Sequence, residues 1–361
     1  MTIIVDATST LLRSAGVKNY MWYWLHYLRL QANETVDIRA FPFLGDLGRI
    51  DHERSALSLF ETLWRLVLIH AMNKPGFPPL DWAIEGADVF HASNLQRRRP
   101  KTAKSTATIH DLTCWLMPEV HTSANVKADR MFAEKILCRA DGLIAVSENT
   151  RQDAIRLLGV RPERVRTIYS GIADSYFGAA PTVRARPYVL YVGTIEPRKN
   201  LDTLLDAWAL LKPSLRGEFD LVLAGPRGWS SRETFARIQS ETTYLGYVPE
   251  SELPGLTAGA SAFIYPSLYE GFGFPVAQAM AAGVPVLTSN NSCLPEIAGD
   301  AALLVDPKSS SEIAAGLTRL LESESLRGDL SARGRRRAEL FRWEKCATES
   351  LHFFRSVCGS V

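Results

Sequence analysis

A glycine-rich loop between two apolar stretches carries the residues best suited to chemistry. The apolar run Ala262–Tyr265 predicts a buried strand, and Pro275 predicts that a helix begins just after the loop. Glu270 lies in the loop and Gln278 on the first turns of the helix. A strand, a glycine loop and a helix N-terminus direct backbone N–H groups and a positive dipole end to one point. This predicts a site for an anionic ligand with a carboxylate beside it.

A second loop carries two cations. Arg198 and Lys199 follow the apolar run Tyr188–Val192 and a turn at Gly193, and Asn200 is the predicted N-cap of the next helix. On a loop at the carboxyl edge of a sheet, the two cations can neutralise a diphosphate. The alternative is a solvated charge pair, but the glycine turn and the N-cap favour phosphate binding.

The elements that must position these loops alternate between strand and helix patterns, which predicts parallel, doubly wound α/β sheets. Because 361 residues exceed the usual size of one core, we expect two domains, with a Gly/Ala/Pro/Arg-rich linker at residues 178–187. We predict strands at residues 3–5, 38–43, 89–91, 108–109, 143–146, 165–168, 188–192, 219–223, 262–265, 285–288 and 302–305. We also predict a final basic, amphipathic helical region over residues 331–354.

Composition excludes several classes of protein. With 46% hydrophobic and 22% charged residues the chain has the profile of a soluble globular protein, and a net charge of +2 does not suggest nucleic-acid binding. The five cysteines show no metal-type spacing, which favours reduced thiols and a cytoplasmic location. We expect the first residues to form a strand and not a signal peptide, and we find no stretch apolar enough to span a bilayer.

The N-terminal half offers weaker candidates. Gly16 precedes a helix whose face of Tyr20, Trp24, Tyr27 and Leu28 we interpret as core. His91 and His110 stand at the ends of predicted strands, where ligands bind in doubly wound sheets. The alternative for each is a hydrogen-bonded structural histidine.

Two further stretches have open interpretations. Residues 57–71 predict an amphipathic helix, and residues 97–104 carry a run of cations. That run is either a solvated loop or a patch for anionic lipid headgroups or a lipid-linked diphosphate. The arginines between residues 333 and 337 predict a solvated face.

Three motifs together are typical of one family: GTIEPRKNL at residues 193–201, YPSLYEGFGFP at residues 265–275 and LPEIAGDAALLVD at residues 294–306. They resemble glycosyltransferase family 4, most nearly its bacterial mannosyltransferases of surface-polysaccharide assembly. The resemblance implies a retaining, metal-independent enzyme with the GT-B fold, in which two Rossmann-like domains face each other across a cleft. It implies an N-terminal acceptor domain at residues 1–177, a nucleotide-sugar donor domain at residues 178–340, and a terminal helix at residues 341–361 that crosses back.

The resemblance also implies roles for individual residues. Glu270 is similar to the first acid of the E-x7-E motif, which contacts the donor sugar, and His110 to a histidine near the transferred sugar. Arg198 and Lys199 correspond to diphosphate ligands, and Gly16 to a glycine facing the donor phosphates and the acceptor. The remaining residues expected to bind substrate are Thr194, Gly246, Tyr247, Gly271, Phe272, Gly273, Phe274 and Gln278.

Two positions depart from the family pattern. Gln278 stands where the second acid of E-x7-E is usual, which weakens ribose recognition by ~1 kcal/mol, since a charge-assisted hydrogen bond becomes neutral. Thr194 stands where many members carry arginine. Neither change removes a group needed for acid–base chemistry, so we expect a working enzyme.

The predicted reaction is hexosyl transfer, with mannose from GDP-mannose as the preferred donor and no cofactor, to a saccharide or lipid-linked acceptor in lipopolysaccharide or exopolysaccharide synthesis. UDP-, ADP- and dTDP-linked donors remain alternatives, as does a non-catalytic nucleotide-sugar-binding relative. Epimerases and phosphorylases would need further acids and histidines or a pyridoxal lysine, and an NAD enzyme would need a G-x-G-x-x-G turn after the first strand. We expect a cytoplasmic protein with peripheral contact to the inner membrane.

Overall fold

The computed structural model describes residues 1–12, 16–45, 55, 57–74, 80–229 and 231–359. The chain divides into two compact units, one formed by Met1–Gly171 with Trp343–Val361 and the other by Ile172–Arg342. Each unit contains a six-stranded sheet in which every strand pair is parallel. The predicted α/β class, with two doubly wound sheets, is confirmed.

The sheet of unit 1 has the strand order β2-β1-β3-β4-β5-β6. Most of its strand residues are buried, as expected for a parallel sheet covered on both faces. Its elements are β1 (Thr2–Asp6), α1 (Gly16–Gln31), β2 (Asp37–Phe41), α2 (Leu59–Met72), α3 (Leu80–Ala83), β3 (Val89–Ala92), β4 (Lys104–Ile109), α4 (Thr113–Leu116), α5 (Ser123–Lys135), β5 (Gly142–Ala145), α6 (Glu148–Leu158) and β6 (Val165–Thr167).

The sheet of unit 2 has the order β12-β11-β10-β7-β8-β9, so the direction of strand addition reverses between β7 and β10. Ligands of open α/β sheets bind beyond the carboxyl ends of strands at such a reversal. Its elements are β7 (Tyr188–Val192), α7 (Leu201–Leu210), α8 (Pro213–Glu218), β8 (Asp220–Ala224), α9 (Arg232–Glu241), β9 (Thr243–Gly246), α10 (Leu253–Ala258), β10 (Ala262–Tyr265), α11 (Phe274–Ala281), β11 (Val286–Ser289), α12 (Leu294–Ala298), β12 (Ala302–Val305), α13 (Ser310–Glu322) and α14 (Glu324–Ala338).

The last helix, α15 (Trp343–Val357), belongs to unit 1 and packs on α1. Trp24 Nε1 of α1 donates to Ser350 Oγ at 2.9 Å, and the rings of Tyr23 and Trp343 stack at 5.8 Å. The face of α1 that we interpreted as core is buried, as predicted.

Two boundaries differ from the sequence prediction. The helical region predicted over residues 331–354 is interrupted between α14 and α15, because Phe341 O accepts the N–H of Ile172 at 2.8 Å and the chain leaves the helix there. Residues 178–187, predicted as the linker, lie inside unit 2, where Thr182 N–H donates to Gly255 O at 2.9 Å. The chain passes between units at Gly171–Ile172 and at Arg342–Trp343.

Helix α2 forms where the amphipathic pattern predicts it, and a capping box of Ser58 and Glu61 starts it. Its inward side holds Arg65, which donates to Pro42 O, Phe43 O and Glu61 O. Large apolar side chains therefore face outward at i, i+1, i+4, i+5 and i+8. We call these residues the α2 stripe: Leu59 (76% exposed), Phe60 (79%), Leu63 (52%), Trp64 (38%) and Val67 (66%).

Candidate active site

Loops after β7, β10 and β12 are tied together at the carboxyl edge of the sheet of unit 2. Asn200 lies in the first loop and joins the other two: its Nδ2 donates to Pro266 O at 3.0 Å and to Pro307 O at 2.6 Å. Asn200 is the N-cap residue of α7, as predicted, but its side chain accepts no hydrogen bond from the helix backbone. Its backbone is left-handed (φ 61°), and its amide joins loops that are distant in sequence.

Glu270 is the centre of this arrangement. Its Oε1 accepts hydrogen bonds from Ser267 Oγ (2.6 Å), Lys199 Nζ (2.7 Å) and Tyr265 OH (3.0 Å). Its Oε2 accepts from Arg198 Nη1 at 2.8 Å. The structure thus brings together the three residues of unit 2 that we predicted to be catalytic.

The electrostatics of the cluster favour an ionised carboxylate. Burial alone would raise the pKa of Glu270, but the charges of Arg198 and Lys199, with hydrogen bonds from Lys199 and Ser267, lower it to about 2. Burial lowers the pKa of Lys199, and so does the charge of Arg198, while Glu270 and Glu196 oppose that change. Glu270 is therefore a fixed negative charge at neutral pH.

Three residues of the cluster were missed by the sequence analysis. Tyr265 and Ser267 donate to Glu270, and Glu196 accepts from Arg198 Nη2 at 2.8 Å. Tyr265 OH also accepts from Lys199 Nζ at 2.7 Å. Their position was the one signal in the sequence that could have identified these three residues. Each lies in the same loop as a predicted residue or at the end of the strand before it.

The loop after Glu270 offers backbone donors. Gly273 has φ 84°, and a Cβ there would lie 2.7 Å from Leu294 Cδ2, so the turn requires glycine. Phe272 packs its buried ring on Phe341 with ring centroids 5.5 Å apart. Within the described parts of the chain, no acceptor bonds the N–H groups of Phe272, Gly273 and Phe274, which stand free at the start of α11.

Gln278 lies on α11 with a half-buried side chain. Among the described residues its side-chain amide has no hydrogen-bond partner, which leaves both of its functional atoms available to a ligand. Gly271, buried beside Glu270, completes the predicted residues of this loop and helix.

The other predicted donor-binding residues of unit 2, Thr194, Gly246 and Tyr247, lie at the carboxyl ends of β7 and β9, which flank β8 in the sheet. A Cβ on Gly225 (φ 145°) would stand 2.0 Å from Gly193 O, and Gly225 N–H donates to Gly246 O at 2.7 Å. These contacts keep the three strand ends close, with half-buried Thr194 and Tyr247 beside them. All of them share the carboxyl edge of the sheet with the Glu270 loop.

Unit 1 places His110 directly after β4, with its ring edge-on to Tyr20 at 4.7 Å. Burial lowers the pKa of His110 to about 4, partly opposed by Asp111, so the ring is neutral at pH 7. Gly16 is the exposed first residue of α1, and no described atom lies within 4 Å of a Cβ built there. The preceding residue, Ala15, falls outside the described residues.

His91 is a structural histidine. Its Nδ1 lies 3.0 Å from Thr106 Oγ1 and its Nε2 lies 3.0 Å from Thr108 Oγ1, so a neutral ring satisfies both nitrogens. Burial, with a smaller effect from His110, lowers its pKa to about 3.

In the described ranges, no group of three or more His, Cys, Asp or Glu side chains is arranged to hold a metal ion. All five cysteines are free thiols. No described helix is both long enough and apolar enough to cross a bilayer.

Comparisons with known proteins agree with the fold and the enzyme class. Residues 62–176 match Glycosyltransferase Family 4, and residues 176–337 match Glycosyl transferases group 1. The chain is 34% identical over 282 residues to the O-antigen chain mannosyltransferase B of Escherichia coli, with 74% of each chain covered. It is 26% identical over 240 residues to the serotype-specific mannosyltransferase WbdA of Escherichia coli, covering 62% of this chain and 29% of that protein.

Among solved structures, sucrose-phosphate synthase from Thermosynechococcus elongatus superimposes with a TM-score of 0.75 at 21% identity over 100% of both chains. That likeness confirms the predicted GT-B fold. The two family matches and the 34% identical relative confirm the predicted enzyme class. This chain belongs to glycosyltransferase family 4 and is a glycosyltransferase.

Proposed function

We propose that this glycosyltransferase moves mannose from GDP-mannose to a hydroxyl of a saccharide or lipid-linked acceptor, with retention at the anomeric carbon and no cofactor. The observation that carries the proposal is the ionised Glu270 held between Arg198 and Lys199, beside the free N–H groups of Phe272 to Phe274. The names of the two similar E. coli proteins support mannose as the sugar.

In the proposed reaction the bond from the anomeric carbon to the β-phosphate oxygen breaks, and a bond to the acceptor oxygen forms. The acceptor proton leaves with the departing diphosphate. Negative charge grows on that diphosphate, and in this proposal Arg198, Lys199 and the loop N–H groups stabilise it. Glu270 holds the donor sugar in this proposal.

The test is a panel of GDP-, UDP-, ADP- and dTDP-sugars measured by thermal shift, followed by product analysis with a saccharide acceptor. We expect GDP-mannose to raise the melting temperature most, because a ligand stabilises only the form that it binds. Transfer of another sugar, or from another nucleotide, would overturn the donor assignment. Binding without nucleotide release in the presence of acceptors would indicate a non-catalytic relative.

We also propose peripheral contact with an anionic membrane, through the α2 stripe and not through residues 97–104 as a whole. Arg98 donates to Met72 O and Lys74 O, which fixes the basic run to the end of α2. Arg99 and Lys104 lie near Asp141, at 3.7 and 3.8 Å. Lys74, which follows the end of α2, and Lys101 are both exposed, and cations together with an apolar face are the combination that interfacial helices use.

Sedimentation with vesicles of phosphatidylglycerol and phosphatidylethanolamine tests the membrane contact. Phe60→Glu should reduce vesicle binding about tenfold, since it sets a charge in the acyl region. Leu210→Glu is the control, because Leu210 is also exposed (60%) but lies in unit 2. Equal sedimentation of both variants and the parent protein would contradict the proposal.

A further inference from the structure

Arg198 lies between two buried carboxylates, and one of them has no role in the proposal above. Its Nη1 donates to Glu270 Oε2 and its Nη2 to Glu196 Oε1, each at 2.8 Å. Nη1 also donates to Tyr269 O at 2.6 Å. The side chains of Arg198, Glu196 and Glu270 are 13%, 7% and 9% exposed, so water screens these contacts little.

The charges in this cluster balance. Glu196 and Glu270 carry two negative charges, and Arg198 and Lys199 carry two positive charges. Without Glu196 the buried cluster would carry a net charge of +1, which would attract an anion more strongly. Glu196 therefore opposes diphosphate binding, although it stands among the groups proposed to bind it.

The contact between Glu196 and Arg198 orients the arginine side chain. Arginine presents its N–H groups in a rigid planar fork, so a partner on Nη2 also fixes the direction of Nη1. The Tyr269 carbonyl fixes the fork from the other side. Because Glu196 begins the turn Pro197–Lys199, the anchor and the arginine belong to one short loop.

We propose that Glu196 is a positioning residue: it aims Arg198 at Glu270 and the donor diphosphate, and its charge keeps the nucleoside diphosphate product from being held too tightly. The inference rests on the proposed location of the donor site. It does not depend on mannose or on guanine as the donor groups.

Two substitutions separate the effect of the length of the Glu196 side chain from the effect of its charge. Glu196→Asp keeps the charge but shortens the side chain by one methylene, whereas Glu196→Gln keeps the length and removes the charge. Glu241→Gln is the matched control, because Glu241 also pairs with an arginine of unit 2, Arg237 at 2.9 Å, but on the surface. Calorimetric titration with GDP and with UDP gives affinity, and steady-state assays give kcat and KM.

For Glu196→Asp we expect kcat to fall about tenfold while nucleoside diphosphate affinity stays within threefold, because positioning is lost and charge is kept. For Glu196→Gln we expect about tenfold tighter nucleoside diphosphate binding, with kcat and donor KM both lowered, because product release slows. A purely structural residue would lower the melting temperature in both variants without tightening binding.

The inference is overturned if Glu196→Gln binds GDP and UDP no more tightly than the parent, or if Glu196→Asp keeps full kcat. It is also overturned if neither nucleotide binds the parent protein. A parent that binds UDP tightly but transfers no mannose overturns the proposed donor and leaves this test intact, since the titration with UDP still compares the variants.

Discussion

The carboxyl edges of the two sheets stabilise their buried polar groups in different ways. In unit 2 the edge holds ionised groups, with Glu270 bonded to Arg198 and Lys199. In unit 1 it holds two neutral histidines, His91 between two threonine hydroxyls and His110 against the ring of Tyr20, and the buried carboxyl of Asp6, which accepts from Thr8 N–H and Ser93 Oγ. Similar backbone topologies therefore carry different electrostatics.

The difference suits the expectation that unit 2 binds the donor and unit 1 the acceptor. A departing diphosphate needs nearby cations, and buried cations are stable only with buried carboxylates beside them. An acceptor hydroxyl is uncharged and needs directional hydrogen bonds without a strong field. The pKa values follow the same division: about 2 for Glu270, and about 4 for His110.

The contrast between the two sheet edges is tested most strongly at Glu270. Glu270→Ala should lower kcat about 10²- to 10³-fold, the loss typical of one well-placed polar group in an active site. Glu241→Ala, a surface carboxylate of the same unit, should keep normal activity. Near-normal transfer by Glu270→Ala, measured as nucleotide release, would refute the assignment of the active site.

The ionised cluster should also be sensitive to loss of a single charge. Lys199→Met leaves Glu270 with one cation fewer, and we expect unit 2 to lose about 3 kcal/mol in its free energy of unfolding, measured with urea. The control is Lys212→Met, which breaks an exposed pair with Glu322 at 2.9 Å and should change stability by less than about 1 kcal/mol. Equal losses would show that burial does not set the strength of the pair.

The buried histidine His91 of unit 1 should affect how the free energy of unfolding depends on pH. The pKa of His91 falls from 6.5 to about 3 on folding, so the unfolded chain binds more protons below pH 6.5. Its contribution is complete above pH 6.5 and is lost by up to about 1.4 kcal/mol per pH unit as the pH falls toward 3. Glu270 acts in a lower window, because its stabilisation is complete above pH 4.5 and is lost toward pH 2.

We therefore expect His91→Gln to have a shallower loss of stability between pH 6.5 and pH 4 than the parent protein, measured by urea denaturation at each pH. His70→Gln, at an exposed position on α2, should leave the slope unchanged. An unchanged slope for His91→Gln would mean that the buried ring does not resist protonation.

The smallest expected effect is at Gln278. Gln278→Glu should restore a charge-assisted hydrogen bond to ribose and tighten nucleotide binding about fivefold, or ~1 kcal/mol. Gln239→Glu, on an exposed position of α9, controls for the added charge. Weaker binding by Gln278→Glu in titration calorimetry would show that this site is adapted to an amide.

Much of the donor site was predictable because its signals are local. Glu270 stands in a glycine loop between a strand and a helix, and Arg198 and Lys199 follow another strand. Glu196 was overlooked because a carboxylate two residues before an arginine also fits an exposed pair. Its burial at 6% exposure depends on β10 and its loop, which pack over the Arg198 loop.

Local signals missed contacts between distant parts of the chain. Asn200 is the N-cap residue of α7, as predicted, but its side-chain amide donates to Pro266 O and Pro307 O, which are far away in the chain. Helix α2 had an amphipathic pattern, but Arg65 bonds to the turn after β2 and turns the apolar stripe outward.

The sequence by itself determined the alternation of strands and helices, the two glycine-bearing loops, and Glu270, Arg198 and Lys199 as separate candidates in those loops. Each depends on spacing within about twenty residues, which hydrophobic periodicity and turn chemistry report. Only the tertiary structure decided that β7 and β10 are neighbours, which brings Lys199 within 2.7 Å of Glu270 across 71 positions of sequence. Strand order arises from packing of the whole sheet, and no local pattern specifies it.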